Sequence, residues 1–459
     1  MSGRPPTFSR RKWLSGMLGL SAVSALGVGL GDEGEALALG RTPMGGKLSM
    51  RVPWSLASID PHDLRDPAAA LFAHAIFDPL FALDGTGSPY AALATGLPTR
   101  ESPGTVLRLR EGMRTARGTA LDARDVIFSI ERARARGGAA LWTDLPKPTA
   151  HPTDKHAVLI GSADPGKIAR ALASPLFALV PRGFSASAPD GTGAMRADLK
   201  GGKLALSRNT SAARGSSFLE AIDVESAPDL KASLRQFEAE RDDVGWLGMG
   251  LFGGRKNAVK FDCGVLAWVV LVTGTDAGTA GSIGAAQRLA SALPAERLAH
   301  LGLGALPAAT GSPAWTGPKT ELVVDETATH LVEIANTVAP ILSSPGHEVT
   351  VSALPRAEVA KKRGKAALVL DVVRPLGSGA LNTLVSLASA EDATRAADLV
   401  RRPPKGLGST ARALAATLRV GVIGEVTASG GVAPDVTLAK SAAQGGWDLC
   451  ASFRKKGAK

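Results

Sequence analysis

Ile76-Phe77-Asp78-Pro79-Leu80, Leu83-Asp84-Gly85, Pro89-Tyr90-Ala91-Ala92-Leu93-Ala94, Leu107-Arg108-Leu109-Arg110-Glu111-Gly112 and Ala123-Arg124-Asp125-Val126-Ile127-Phe128-Ser129 follow one another between Ile76 and Gly137. Their reading decides the fold. Asp78-Pro79 ends the apolar helix Ala68 to Phe77, because the residue before a proline avoids the helical region. Leu83 to Gly87 is a glycine turn. Val106 to Arg110 alternates as a short strand, and Asp122 is placed to cap a helix that carries Val126, Ile127, Ile130 and Ala133 and stops at Gly137-Gly138. None of these residues has the chemistry of a catalyst.

Around this block the chain is long enough to bury a large core. It has 459 residues, of which 45% are hydrophobic, and at about 150 residues per domain it should form about three domains. The net charge is +11, yet the basic residues are scattered and aromatics make up only 4% with a single tyrosine. The stacking platforms of nucleic-acid binders are therefore missing, and no nucleic-acid partner is expected. Cys263 and Cys450 are too few for a disulfide framework, and they read as one bridge or as two free thiols.

Upstream, Ser9-Arg10-Arg11-Lys12-Trp13-Leu14 is a twin-arginine pattern before the apolar run Met17 to Leu30. That run is shorter than the about twenty residues needed to span hydrocarbon. It reads as the core of a Tat signal peptide over residues 1–38, cut near Ala38 after the small residues Ala36-Leu37-Ala38. Cysteine is absent from its end, which argues against a lipid anchor. The expected location is the periplasm, and the expected state is a monomer.

Downstream, Lys47 to Val52 alternates as a strand. Val158 to Ile160, Leu204 to Ser207 and Ile222 to Val224 are short strands, Ile168 to Leu172 is part of a helix, and Pro228-Asp229 opens another helix. Val265 to Val272 is an unbroken apolar run, as in a strand buried on both faces. Glu321 to Asp325, Thr327 to Val338, Glu348 to Leu354, a short basic helix and Ala366 to Val373 then alternate strand and helix, which implies a parallel or mixed sheet with helices on both sides. A helix spans Asn382 to Arg401, with Glu391-Asp392 interrupting its apolar face. Strands at Leu418 to Val426 and Trp447 to Phe453 close the chain.

Catalytic and cofactor motifs do not assemble. Gly248-Met249-Gly250-Leu251-Phe252-Gly253 has dinucleotide spacing, but no apolar strand leads into it and Arg255-Lys256 stand where a helix should open, so it reads as a glycine loop. In Gly311 to Thr320, Pro318 separates Gly317 from Lys319, which breaks a phosphate loop. His151 and His156 lie close together, without the further ligands that a metal needs. No nucleophile elbow and no His-Glu-x-x-His helix occurs. The expectation is a protein that is no enzyme and holds no cofactor and no metal.

Six blocks in order resemble the family 5 extracellular solute-binding proteins, the dipeptide- and oligopeptide-binding group of ABC importers. Ile59-Asp60-Pro61 looks like that family's Leu-Asp-Pro, Ile76 to Leu80 like Leu-Tyr-Glu-Pro-Leu, and Pro89 to Ala94 like Pro-x-Leu-Ala with two extra residues. Leu109 to Gly112 matches Leu-Arg-x-Gly, and Leu121 to Arg132 resembles a Thr-Ala-x-Asp-Val helix. Gly191-Thr192-Gly193 with Leu206 to Asn209 looks like a Gly-Thr-Gly-Pro turn, lacking its proline, followed by a Leu-x-Arg-Asn strand. The resemblance implies an α/β, two-lobed periplasmic binding protein-like fold of the class II type, with an extra subdomain inserted in lobe one and closure by a hinge. Lobe one would comprise residues 45–65, 155–258 and 420–459, the insertion 66–154, and lobe two 259–419.

The resemblance also implies a function: capture of a small solute or peptide ligand for an inner-membrane ABC permease complex. The alternative is a transport-deficient member that acts as a sensor or scaffold; an exported hydrolase ranks below both. Peptide binders of the family hold the ligand ammonium with the aspartate of a Trp-x-x-Asp segment. Here Leu368 to Leu376 lacks the tryptophan. Asp371 is its only acid, and an ungapped comparison places Val373 or Arg374 nearer the carboxylate position. An unpaired buried ammonium costs about 3–5 kcal/mol, a hundredfold or more in affinity, so free peptide amino termini are disfavoured unless Asp371 comes into register. Arg374 reads either as a contact for a carboxylate or phosphate or as a solvated arginine at a strand end. Trp54, Ser55 and Ser58 after the first strand, and Trp268 near the hinge, complete the candidate ligand-binding set, with Trp268 equally readable as core. Few aromatics suit a small or apolar ligand better than a long peptide.

Overall fold

The computed structural model describes residues 43–227, 230–246, 255–308, 311, 314–440 and 447–455. The twin-arginine segment, the cleavage region near Ala38, Pro228-Asp229 and the Gly248–Gly253 loop lie outside them. Strand β1 (Lys47–Val52) turns Leu48, Met50 and Val52 into the core, the two-residue period of a pleated strand. Asp66 then caps α1 (Pro67–Ile76), accepting the Ala69 amide at 3.0 Å, while Pro67 occupies a first-turn position where its missing N–H is no loss.

Past Asp78-Pro79 the chain makes a separate small body. Strands β2 (Phe81–Leu83) and β3 (Pro89–Ala91) form a hairpin. Its turn is held by Asp84, whose Oδ1 accepts the amides of Thr86 and Ser88 at 2.8 and 2.9 Å. Next come β4 (Thr99–Glu101), β5 (Gly104–Arg108), α2 (Ala123–Ala133), β6 (Thr149–Ala150) and β7 (Ala157–Leu159), whose strands pair in the order β4-β5-β7-β6. Helix α2 starts with a capping box: Asp122 accepts the Arg124 amide at 2.7 Å, and Asp125 accepts the Asp122 amide at 2.8 Å. The helix does not simply stop at Gly137, because Arg134–Gly138 adds a π-helical turn in which Gly137 takes φ 134°. The sheet includes β7, which pairs with both β5 and β6. Helix α3 (Pro165–Ala171) follows.

Gly191-Thr192-Gly193 returns the chain to the end of α1. A Cβ on Gly191 would lie 2.3 Å from the Ile76 carbonyl oxygen and one on Gly193 2.5 Å from that of Ala75, so only glycine fits. Thr192 donates to Asp78 at 2.9 Å, and the Asn209 amide group donates to the Gly193 carbonyl at 2.8 Å. Three of the quoted stretches, Ile76 to Leu80, Gly191 to Gly193 and Leu206 to Asn209, thereby meet at one point.

Strands β8 (Met195–Lys200), β9 (Lys203–Arg208) and β10 (Ala221–Ser226), helix α4 (Leu230–Glu238) and strand β11 (Val244–Trp246) complete one lobe, with β1 parallel to both β10 and β11. The long β12 (Val259–Val272) leaves it. In the second lobe α5 (Ala285–Ala292) and α6 (Ala295–Leu298) precede β13 (Thr320–Asp325), α7 (Thr329–Leu342), β14 (Val349–Leu354), α8 (Arg356–Lys362) and β15 (Leu368–Val373), and the three strands run parallel. The expected helix over Asn382 to Arg401 is two helices, α9 (Ala380–Glu391) and α10 (Ala393–Arg401), split where Asp392 caps the second. After α11 (Ala411–Ala415), β16 (Val420–Val432) runs back antiparallel to β12, and β17 (Val436–Lys440) and β18 (Trp447–Arg454) form a final hairpin.

The ten-stranded sheet has the order β14-β13-β15-β12-β16-β11-β1-β10-β9-β8. Among the described strands β12 and β16 belong to both lobes, and their register shifts between Asp262 and Val265, Val265 and Ala267, and Val269 and Val270. Neither Cys263 nor Cys450 is in a disulfide, and both are buried. No helix among the described residues is long and apolar enough to cross a membrane.

Candidate functional site

The lobes meet where β1 of one, and β13, β14 and β15 of the other, run out at their C-terminal ends, the customary place for ligands in α/β sheets. The loop after β1, Pro53 to Asp66, supplies one side. It is dense in charge: Asp60, His62, Asp63 and Asp66 are all buried. The opposing side comes from the residues that follow each strand of lobe two.

Arg374, directly after β15, is buried, so the solvated reading is wrong for it. Its amide donates to the Leu64 carbonyl at 2.9 Å, and its Nη1 reaches the carbonyls of Pro61 and Asp63 at 3.4 and 3.5 Å. It holds the loop by its backbone. Burial lowers the basicity of this guanidinium, and the carboxylates of Asp66, Asp63 and Asp60 oppose that. Arg356, at the start of α8, pairs with Asp63 and stands 4.0 Å from Asp325.

Asp371 lies within β15, where its carboxylate accepts Arg65 Nε at 2.8 Å, Arg363 Nε at 2.9 Å and the Val372 amide at 2.9 Å. Burial pushes its acidity down, but Arg363 and Arg65 outweigh it and hold the carboxyl below its usual range. Arg65 also donates to the Ser389 carbonyl at 3.0 Å, which ties the loop to α9. The aspartate that would meet a ligand ammonium is thus engaged by two guanidiniums.

On the inserted side, Arg132 of α2 forms a two-pronged pair with Asp60 at 2.6 and 2.7 Å, with Arg136 3.1 Å from the same carboxylate. Burial raises the Asp60 pKa, and Arg132 and Arg136 together bring it below the ordinary value. His62 is fixed as the neutral tautomer with its proton on Nε2, which donates to the Ala178 carbonyl at 2.8 Å while Nδ1 accepts from Arg132 at 3.0 Å. Burial lowers its pKa to about 4. Asp66 is the counterpart, raised to about 6 by burial.

The two tryptophans part company. Trp54 packs in a core to which both lobes contribute, with its ring edge-on to His330 of α7, centroids 6.4 Å apart. Trp268 sits in the other core, on β12 between Val373 of β15 and Glu425 of β16. Its indole N–H approaches the Glu425 carboxyl without closing a hydrogen bond of good geometry. Ser55 is exposed and Ser58 half-buried. The structure therefore gathers Asp371, Arg374 and the 60–66 loop, and sets Trp54 and Trp268 in separate cores.

Sequence reasoning missed most of the clasp: Arg65, His330, Arg356 and Arg363 carried no motif, and Arg132 only closed the helix block from Leu121. A further available signal was the crowding of five ionisable residues into Asp60 to Asp66. His330 has both ring nitrogens buried without a hydrogen-bond partner, and burial lowers its pKa to about 4 against the opposing charge of Asp325. A different group, His74, Asp448 and Cys450, brings possible metal donors within 4.8 Å of one another. There His74 Nε2 already accepts the Leu449 amide at 3.0 Å, and Asp448 accepts the amides of Cys450 and Ala451 at 3.0 and 3.1 Å.

No protein-family model and no curated protein matches the sequence. Solved structures do match the fold. The periplasmic binding protein DppA from Helicobacter pylori, in complex with the peptide STSA, is 16% identical, with 90% of this chain and 99% of that chain covered and a TM-score of 0.64. The binding protein AgaA from A. tumefacien R10, in complex with agropinic acid, is 14% identical over 90% and 99%, with a TM-score of 0.63. NikA from Brucella suis, in complex with Fe(III)-EDTA, is 16% identical over 89% and 100%, with a TM-score of 0.58. The chain has the two-lobed α/β fold of periplasmic binding proteins.

Proposed function

We propose that this protein captures a small solute between its lobes in the periplasm and delivers it, as a monomer, to an inner-membrane ABC permease. The observation that carries this reading is the pattern of contacts at the seam. Among the described residues β12 and β16 join the lobes, while the ion pairs and backbone hydrogen bonds of Arg65, Arg356 and Arg374 cross between them. Opening such a joint exchanges those polar partners and parts the contact of Trp54 with His330. Asp371 and Arg374 are proposed to hold the clasp beside the enclosed space, with Ser55 and Ser58 at its edge, whereas Trp54 and Trp268 are built into packed cores. Capture, not catalysis, is the proposed activity.

A thermal-shift screen over peptides, haem, metal chelates and oligosaccharides tests this. A solute at 100 times its dissociation constant stabilises its binder by about 2.7 kcal/mol. Failure of every class to raise the melting temperature would refute solute capture. Export by the Tat route is proposed from Arg10 and Arg11; replacing both with lysine should retain the precursor in the cytoplasm, and unchanged export would refute that route.

A further inference from the structure

Beside the clasp lies a cavity of about 880 Å³, lined by the turn that follows α2, by the loop after β1 and by α8, α9 and the start of α10. Its volume falls in the range of small-molecule sites. Much of the wall is alanine, with Ala139 and Ala140 on one side and Ala357, Ala360 and Ala390 on the other. The charge is arginine: Arg134 and Arg136 project from the inserted side, Arg356 and Arg363 from α8, and Arg65 from the loop.

Three carboxylates share the lining, and each is engaged. Asp63 pairs with Arg356, Glu391 accepts the Arg419 amide at 2.9 Å, and Asp392 caps α10. Counting Asp60 on Arg136 and Asp371 behind Arg65 and Arg363, five carboxylates balance the five guanidiniums. Arg134 makes no ion pair among the described residues.

Resting on the solute-capture reading, we infer that the solute is a small anion with at least two acidic groups, carboxylate or phosphate, seated in this chamber. One acidic group meets Arg134 and Arg136, and the other meets Arg356 and Arg363. The planar guanidinium fork matches both acid types in two-pronged geometry. The two arginine pairs belong to opposite sides of the seam. An anion that bridges the two pairs favours the closed arrangement, since only there does it meet both.

Calorimetric titration of the whole mature chain in chloride-free buffer provides the test. Citrate and succinate form the carboxylate arm, inorganic phosphate and pyrophosphate the phosphate arm, and spermidine and maltotriose the non-anionic arm. The variants are Arg134→Glu, which breaks no ion pair, and Arg100→Glu, an exposed residue of β4 that does not line the chamber and changes net charge equally. The expected result is binding in one of the acidic arms, weakened at least tenfold by Arg134→Glu and less than threefold by Arg100→Glu. The arm that binds identifies the acid. Binding of an anion indifferent to Arg134→Glu, or of spermidine or maltotriose alone, overturns the chamber assignment and leaves solute capture standing. Silence of both acidic arms overturns the anion inference, and the broader thermal-shift screen then decides capture independently.

Discussion

Replacing Arg132 with methionine removes the cation that the inserted side offers to Asp60 while keeping the flexible apolar stem. The wild-type side chain is 15% exposed and Asp60 4%, so the pair is desolvated, and deleting one partner of such a pair typically costs about 3–5 kcal/mol. Arg136 still reaches the carboxylate, but its side chain is 49% exposed and its charge is screened by water. The contact of Arg132 with the Phe184 ring, at 4.7 Å, goes too, for about 0.5–1 kcal/mol. The sum points to a loss of about 3–4 kcal/mol at pH 7, read as a lower urea midpoint with an unchanged slope. The sign of the pH effect is fixed by Asp60. Its carboxyl is held below the ordinary range, so its contribution is complete at neutral pH and is lost as pH falls through the folded value. Without Arg132 that advantage is gone, and protonation relieves the uncompensated charge, so the gap between variant and wild type narrows from pH 7 toward pH 4. Arg132→Lys keeps the charge but not the two-pronged geometry and should fall between. A loss below about 1 kcal/mol, or a gap equal at both pH values, would refute the assignment of Arg132 as the partner that makes Asp60 tolerable.

Asp371→Asn leaves Arg65 and Arg363 around a neutral amide and should lower stability by about 3 kcal/mol; a stable variant that instead loses solute affinity would return Asp371 to the ligand. For His330, whose folded pKa is about 4 against 6.5 when free, stability is full above pH 6.5 and is lost as pH falls toward 4, by about 3 kcal/mol in all. His330→Leu should flatten the stability profile across that window, and an unchanged acid limb of a melting-temperature series would exclude the histidine. Gly193→Ala drives a methyl group into the Ala75 carbonyl and should cost about 1–3 kcal/mol; a neutral result in urea unfolding would mean that the turn moves freely off α1.

The parts legible in the sequence are those with a strong local period or a cap. β1, the capping box of α2 and the alternation from β13 to β15 are of this kind, and Glu391-Asp392 marked the break between α9 and α10. Helix α5 was invisible because Ala285–Ala292 offers Leu289 as its only large apolar residue, and β11, three residues long, is too short to show a period. The clasp was illegible for a different reason. Arg65 and Asp371 are 306 positions apart, and Asp63 and Arg356 are 293 apart. No window of sequence contains both partners, and each residue alone reads as ordinary surface charge. Asp371 and Arg374 were singled out from a family pattern, which pointed to the right strand end, whereas their partners follow from how the lobes meet.

Thr192 and Asp78 stand 114 positions apart and are fastened directly to each other. Whatever lies between them is a lariat closed at its neck, and the cost of closing a flexible ring grows only with the logarithm of its length, about 0.6 kcal/mol per doubling. The strands of the great sheet therefore do not register how much chain the loop pays out. A designer could lengthen the exposed turn from Asp84 to Ser88 or graft a reporter into it without moving the neck, whereas an exchanged cassette would have to keep Arg132 for Asp60 and the Ala178 carbonyl for His62.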